Sequence, residues 1–340
     1  MIIVRAPLRM SFVGGGTDIA DFYTRSPGRV LSATIDKYIF VVINRMPFNK
    51  HIVARYSSIE TVDHPSKLQH HRIREALIDA GIGGSIEVGH FSHLPARIGL
   101  GSSSSFSVAL VKGLAVYQGK RISAEEAAQA ACRLEIDLVK EPIGKQDQYA
   151  AAFGGFNVFQ FNADGSVDVE PLYMDYKNRF ALETHALLFF TGITRDASVV
   201  LAEQKKHMAR EDNFGSLKKM ADLVPVFKEC LMSGQIKRAA ELLHENWMMK
   251  KTLAAGISNP AIDALYDAGV SAGAWGGKVL GAGGGGCILF LAPPETHDKI
   301  RKEACDVAGA YGLADFKEIP FSFTQAGAEI VFNDSGSMAS

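Results

Sequence analysis

"IGLGSSSSFSVALVKGL", residues 98–114, places two glycines and four serines directly ahead of an apolar pattern. A serine run by itself reads as loop, because the hydroxyls compete with backbone hydrogen bonding inside a helix. Here Phe106, Leu110, Leu114 and Tyr117 recur at helical spacing, so the serines fall in the first turn of an amphipathic helix. That turn carries unpaired N–H groups and about half a positive charge. Gly99 and Gly101 let the preceding backbone come close to a ligand, which makes the helix mouth an anion cradle suited to phosphate. On spacing alone, a glycine-serine loop that merely caps a helix remains the alternative.

Two more glycine-rich stretches flank this one. GAGGGG, residues 281–286, matches G-x-G-x-x-G letter for letter. A dinucleotide motif should follow a strand and open a helix, whereas the strand-like CILFLAP comes next here, so that reading is weak. FVGGGTD, residues 12–18, is the third. None contains G-x-x-x-x-G-K-[ST], and the near miss Gly277-Lys278 is followed by Val279, which disfavours an ordinary P-loop ATPase.

Around these segments the first half mixes strands and helices. Residues 2–6, 29–35, 38–46 and 85–91 are rich in β-branched and aromatic side chains. Helical periodicity appears over 71–81, 103–117 and 123–139, the last opened by a capping-box pattern of Ser123 and Glu126. Pro142 and Gly144 stop it, and a short helix is expected from about Gln146. From residue 181 onward, ALLFFTG reads as a buried strand. Helices are expected over roughly 196–209, 214–233, 236–254 and 259–272, then strands around GGCILFLAP and AEIVF with a helix near 295–311. This pattern implies an α+β second lobe. The polar tail, residues 334–340, reads as frayed.

Length and composition set the bounds. A chain of 340 residues exceeds the roughly 250–300 at which single cores stop growing, so two lobes are expected. With 47% hydrophobic and 21% charged residues it has the make-up of a soluble globular protein. A net charge of −1 provides no basic field for nucleic acid, and no apolar run is long enough for a membrane span. The N-terminus reads as a first strand rather than a signal peptide, which implies the cytoplasm. The four cysteines have no metal or disulfide spacing, and the pairs His90/His93 and His70/His71 lack companion ligands, so they read as packed or surface histidines.

Taken together, RAPLRMSFVGGGTD, LPARIGLGSSSS and KVLGAGGGG resemble, in this order and separation, the three motifs of the GHMP kinases. The resemblance covers residues 2 to about 333. Within the family, RAPLRMSFVGGGTDIADFY, GLGSSSSFSVAL and GKQDQYAAAFGG are most similar to bacterial D-glycero-D-manno-heptose 7-phosphate kinases. The resemblance implies an α+β, two-lobed GHMP kinase fold: a ribosomal protein S5 domain 2-like ATP-binding lobe over 1–180 and a ferredoxin-like lobe over 181–333. It also implies transfer of the ATP γ-phosphoryl group, with Mg2+, to the anomeric hydroxyl of the 7-phosphate. The product would be the 1,7-bisphosphate used for nucleotide-activated heptose and surface polysaccharide. Fucose, another hexose or another sugar phosphate is the alternative acceptor, and a non-catalytic sugar or nucleotide sensor the remoter one. The expected partners are ATP and a small sugar phosphate, with no nucleic acid or membrane; a homodimer is left open.

Residue roles follow from the same motifs. The resemblance makes Asp147 the catalytic aspartate, as base or acceptor-orienting group, although an Asp at a helix start also reads as a cap. It places Arg9 beside Asp147 and the transferring phosphate, where a cation stabilises developing charge. Gly99, Leu100, Gly101, Ser102, Ser103 and Ser104 would bind the ATP phosphates. Glu135 and Ser103, or Ser104 in its stead, would complete the metal shell, since Mg2+ normally takes few protein ligands. Gly15, Gly16, Thr17, Asp18 and Lys145 would face the sugar, and Gly281, Gly283, Gly284 and Gly285 form the C-terminal glycine motif. Gly15 and Gly16 stand where galactokinases carry a Glu-His pair, and Leu8 where they carry glycine, which argues against galactose. A distal phosphate would need cations, for which Lys145, Arg55, Lys37 and Arg195 are candidates.

Overall fold

The computed structural model describes residues 1–195, 200–203 and 211–334. Its elements run β1 (Ile2–Val13), α1 (Ala20–Tyr23), β2 (Gly28–Arg45), β3 (Ile52–Arg55), β4 (Ile59–Val62), α2 (His71–Asp79) and β5 (Ile86–Ser92). Then come α3 (Ser102–Tyr117), α4 (Ala124–Cys132), α5 (Gln146–Phe153), β6 (Phe156–Phe161), β7 (Val167–Pro171), α6 (Tyr176–Thr184) and β8 (Ala186–Phe190). The rest is α7 (Glu211–Met232), α8 (Ile236–Lys251), α9 (Pro260–Ala272), β9 (Gly276–Val279), β10 (Cys287–Leu291), α10 (His297–Ala310), β11 (Lys317–Glu318) and β12 (Glu329–Asn333). The helix expected over 196–209 lies mostly outside the described residues, as do residues 335–340 of the tail.

Two sheets form, as the two-lobed α+β reading requires. The first is ordered β12-β1-β2-β5-β3-β4, with β6 and β7 continuing from β2; the second is β11-β8-β10-β9. All strands of the second sheet lie beyond residue 181, but β12 leaves that segment and pairs antiparallel with β1. The chain end therefore closes the edge of the first sheet rather than finishing the second lobe.

Strand β1 explains how the site is presented. Its even positions Ile2, Val4, Ala6, Leu8, Met10 and Phe12 are all buried in the core, while Arg9 and Ser11 on the other face border a cleft, the period-two alternation of a strand. The single strand β2 replaces the two expected strands. Pairing with β1 steps from Pro7↔Tyr38 to Leu8↔Ile35, so Asp36 and Lys37 are taken up as a bulge within one long strand. Helix α3 starts one residue earlier than expected and is buried nearly all round from Ser104 to Leu110. It is a central helix, packed between the sheet and α2, α4 and α5, rather than an amphipathic surface helix. The capping box of Ser123 and Glu126 forms, and the helix it opens runs on through a π-helical turn at Arg133–Leu138. That widened turn carries Glu135.

Two inter-lobe ties fix the second lobe against β1. The buried Lys278 ammonium of β9 donates to the carbonyls of Ser11 and Phe12, each at 2.8 Å, and the Gly14 amide donates to Asn246 Oδ1 of α8 at 3.0 Å.

Candidate active site

The three glycine-rich segments, far apart along the chain, converge on one cleft of about 520 Å³. The contact between two of them is backbone on backbone. Gly99 and Gly281 both have positive φ, and a Cβ on Gly281 would lie 2.8 Å from the Gly99 Cα; only glycine allows so close an approach. Gly101, at φ 74°, is the N-cap of α3. The first turn of that helix thus opens onto the cleft beside the C-terminal glycine motif, and Ser102, Ser103 and Ser104 line it.

Helix α5 supplies three consecutive polar side chains, which point in directions about 100° apart. Gln146 holds Asp18: its backbone N–H donates to Asp18 Oδ2 at 3.1 Å and its side-chain amide to Oδ1 at 3.0 Å. Asp147 accepts a bidentate pair from Arg9, Nε to Oδ1 at 2.8 Å and Nη2 to Oδ2 at 2.7 Å. Gln148 donates to Glu135 Oε2 at 2.5 Å. The third Arg9 arm, Nη1, donates to the Gly99 carbonyl at 2.6 Å, and the Arg9 backbone N–H to the Leu100 carbonyl at 3.0 Å. Arg9, nearly fully buried, therefore joins the carboxylate of α5 to the turn that opens α3. Asp18 is buried as well, and desolvation, followed by the charge of Asp147, raises its carboxyl above the ordinary range.

Glu135 is placed differently from expectation. It has no exposed surface and accepts four hydrogen bonds: Arg72 Nε at 3.0 Å and Ser107 Oγ at 2.9 Å on Oε1, Ser104 Oγ at 2.8 Å and Gln148 on Oε2. Those donors use the roughly four lone-pair directions of a carboxylate. As folded, this residue does not fit a metal cation. Ser104 and Ser107, not Ser103, are its serine partners; Ser103 is exposed one position before Ser104 on the helix and lies at the cleft.

Several other expected contacts are redirected. Lys145 does not line the cleft: its ammonium donates to the Gly165 carbonyl at 2.5 Å and sits over the Tyr23 ring, because the residue precedes α5 on the side facing the β6–β7 hairpin. Thr17 is a buried pin, its hydroxyl donating to the carbonyls of Gly14 and Arg29. Leu100 contributes its carbonyl and buries its side chain, and Gly284 donates its N–H to the Ile257 carbonyl at 2.7 Å. Lys37 pairs with Asp36, and Arg55 with Glu87. Gly15, Gly16, Asp18, Arg195, Gly281, Gly283 and Gly285 do line the cleft.

Arg72 and Lys250 are among the lining residues that escaped the sequence reading, and His70 and His90, taken there for packed or surface histidines, line the cleft as well. Arg72 bridges Glu135 and Glu141. His70 and His90 flank Phe106, with ring centroids 5.4 and 5.3 Å away; burial lowers the pKa of His70 to about 4. Lys250 was legible in principle, because it continues the buried stripe Ile236, Ala239, Leu243, Trp247 of α8, where a lysine is out of place.

The arrangement is an anion cradle with a carboxylate and a buried cation beside it, which is the equipment for moving a phosphoryl group onto an alcohol: positioning, charge neutralisation and an acceptor for the alcohol proton. The comparisons agree. The model of the GHMP kinases N terminal domain matches residues 70–155 and that of the GHMP kinases C terminal matches residues 227–309. The chain is 30% identical over 314 residues to the D-glycero-alpha-D-manno-heptose 7-phosphate kinase of Campylobacter jejuni, covering 88% of this chain and 92% of that one. Among solved structures it resembles a D-glycero-D-manno-heptose 1-phosphate kinase from Bacteroides thetaiotaomicron, with a TM-score of 0.77 at 26% identity over 98% of this chain and 100% of that one. The fold also matches Lactococcus lactis galactokinase complexed with galactose, with a TM-score of 0.76 at 17% identity over 96% of this chain and 94% of that one. With its three motifs gathered at one cleft and this likeness running through both lobes, the chain belongs to the GHMP kinases and is a sugar kinase.

Proposed function

We propose that this kinase transfers the γ-phosphoryl group of ATP to the anomeric hydroxyl of D-glycero-D-manno-heptose 7-phosphate, in the cytoplasm, yielding the 1,7-bisphosphate for activated-heptose and surface-polysaccharide synthesis. The observation that carries it is the bidentate Arg9–Asp147 pair set against the Gly99–Ser104 turn. Phosphate oxygens take the N–H groups of the α3 first turn, and the sugar lies against Asp147, Asp18, Gly15 and Gly16. Asp147 orients the attacking hydroxyl and takes its proton late. A loose phosphoryl-transfer transition state asks for little basicity, so a carboxylate tied to an arginine suffices. Arg9 sets its guanidinium beside the transferring group. The likeness to the Campylobacter jejuni protein supports the heptose phosphate. Of the four cations considered for a distal phosphate, Arg195 alone lines the cleft, and we assign it that contact.

Supplying ATP as its magnesium salt with a panel of acceptors, and identifying products by NMR, tests this reading. Heptose 7-phosphate is expected to exceed heptose, fucose and galactose in kcat/KM by about a hundredfold or more, as loss of a charge-assisted phosphate contact implies. Equal turnover of an unphosphorylated sugar would overturn the acceptor assignment. A second expectation concerns the sugar side alone. A Cβ on Gly144 would lie 2.0 Å from Asp18 Oδ2, so Gly144→Ala must push that carboxyl aside. Sugar KM should rise at least about tenfold, the scale of one lost hydrogen bond to a charged group, while ATP affinity measured by calorimetry stays within about twofold.

A further inference from the structure

We propose that Lys250, delivered by the second lobe, is a catalytic residue whose ammonium contacts the γ-phosphoryl group of ATP opposite Arg9. The inference goes beyond the sugar identity and rests on the reading of the Gly99–Ser104 turn as the phosphate cradle.

Four observations place the group. Lys250 lines the cleft although it is only 4% exposed. Its Nζ donates to the carbonyl of Gly281, the glycine that touches Gly99, while Arg9 donates to the carbonyl of Gly99 itself. The two cations are therefore anchored to the two loops at the point where those loops meet. An ammonium has three donors, and among the described residues no second protein acceptor engages this one. Finally, the charges that act on it are Arg9 of β1, Asp18 of the turn after β1, Asp147 of α5 and, from β9, Lys278. Lys250 thus lies within electrostatic reach of Arg9, Asp18 and Asp147 and lines the same cleft as the phosphate turn.

The alternative is a tether that holds α8 to the glycine motif. A tether should be satisfied by its carbonyl and should lie away from the acids. Burying an ammonium with two free donors among two other cations is costly; an incoming phosphate offsets that cost by filling the donors. Burial and the charge of Arg9 hold the Lys250 ammonium down to about 8. It is therefore charged below that pH and loses its charge as pH rises through it.

The test needs no sugar, so an error in the acceptor cannot affect it. Affinities of MgATP and MgADP are measured by calorimetry from pH 7 to 9.5 on the full chain and on Lys250→Met. In the parent protein the preference for ATP over ADP is expected to shrink about tenfold as pH rises past 8, the effect of losing one charge-assisted contact. In Lys250→Met the preference should already be about tenfold lower at pH 7, flat with pH, with ADP binding within twofold. A pH-independent ATP preference in the parent protein, or equal losses for ATP and ADP in the variant, overturns the proposal. Should Lys250→Met not fold, Lys250→Arg decides: its fixed charge should hold the ATP preference at the parent's pH 7 level up to pH 9.5, and a preference that still shrinks there overturns the proposal, the loss then belonging to the neighbouring Lys278. A parent chain that binds neither nucleotide defeats the cradle reading and the proposal together.

Discussion

Replacing Asp147 by asparagine is expected to lower kcat by roughly 10²–10⁴-fold, the usual range for loss of a proton-accepting side chain, without raising the KM for ATP. The geometry gives the reason for the split. Asparagine keeps one oxygen for Arg9, so the guanidinium stays near its place with its remaining arm on the Gly99 carbonyl. What disappears is the negative charge to which the proposed reading gives the acceptor hydroxyl's proton. Arg9 is then left with a surplus of positive charge next to the phosphate turn, which holds ATP as well as before or better. Arg9→Met should do the opposite: it takes the cation from the nucleotide side and leaves Asp147 facing Asp18, so KM and kcat deteriorate together. Steady-state kinetics on both variants, with melting curves to confirm folding, checks the contrast. An Asp147→Asn protein that retains kcat within tenfold of the parent, while folded, would remove Asp147 from the proton's path.

Much of this was readable in the chain before any coordinates. The strand expected at residues 2–6 and the Ser123–Glu126 capping box are local patterns, and local patterns survive folding. The spacing of Phe106, Leu110, Leu114 and Tyr117 puts the start of α3 at Ser103, one residue from the observed Ser102. That Asp147 and Arg9 belong to one site came from the resemblance to a kinase family, since 138 positions separate them and no periodicity links them. Where the reading missed, tertiary placement decided. A lysine next to a glycine-rich motif can reach a sugar or a hairpin carbonyl with equal ease, and Lys145 takes Gly165. Four adjacent serines differ by 100° steps around a helix, so their sequence cannot say which one meets Glu135; the packing of α3 against the π-helical turn does, and selects Ser104 together with Ser107. The Asp36-Lys37 interruption looks like the end of a strand until β1 is seen to pair on both sides of it.

Glu135 is where the structural and the metal-ligand readings separate most widely, and alanine there is expected to destabilise the protein by about 3–5 kcal/mol, the cost of breaking a buried ion pair from one side. Its carboxylate is the shared acceptor for Arg72, Ser104, Ser107 and Gln148. Removing it takes the acceptor from Ser104 and Gln148, leaves Ser107 only the Ser103 carbonyl at 3.3 Å, and leaves the guanidinium of Arg72 with Glu141. Each stranded donor carries a desolvation penalty, and the loss falls at the junction of α2, α3, α5 and the π-helical turn, behind the wall of the cleft. Glu135→Gln should cost less: the amide oxygen still accepts from one side, while the NH2 group opposes donors on the other. Melting temperature and denaturant midpoint, taken with EDTA and without nucleotide, measure this in the absence of any metal. A residue whose only duty is to hold a cation would show no change in that experiment and would lose kcat alone. An unchanged melting temperature for Glu135→Ala would therefore return Glu135 to the metal shell and require Arg72 to swing away when nucleotide binds.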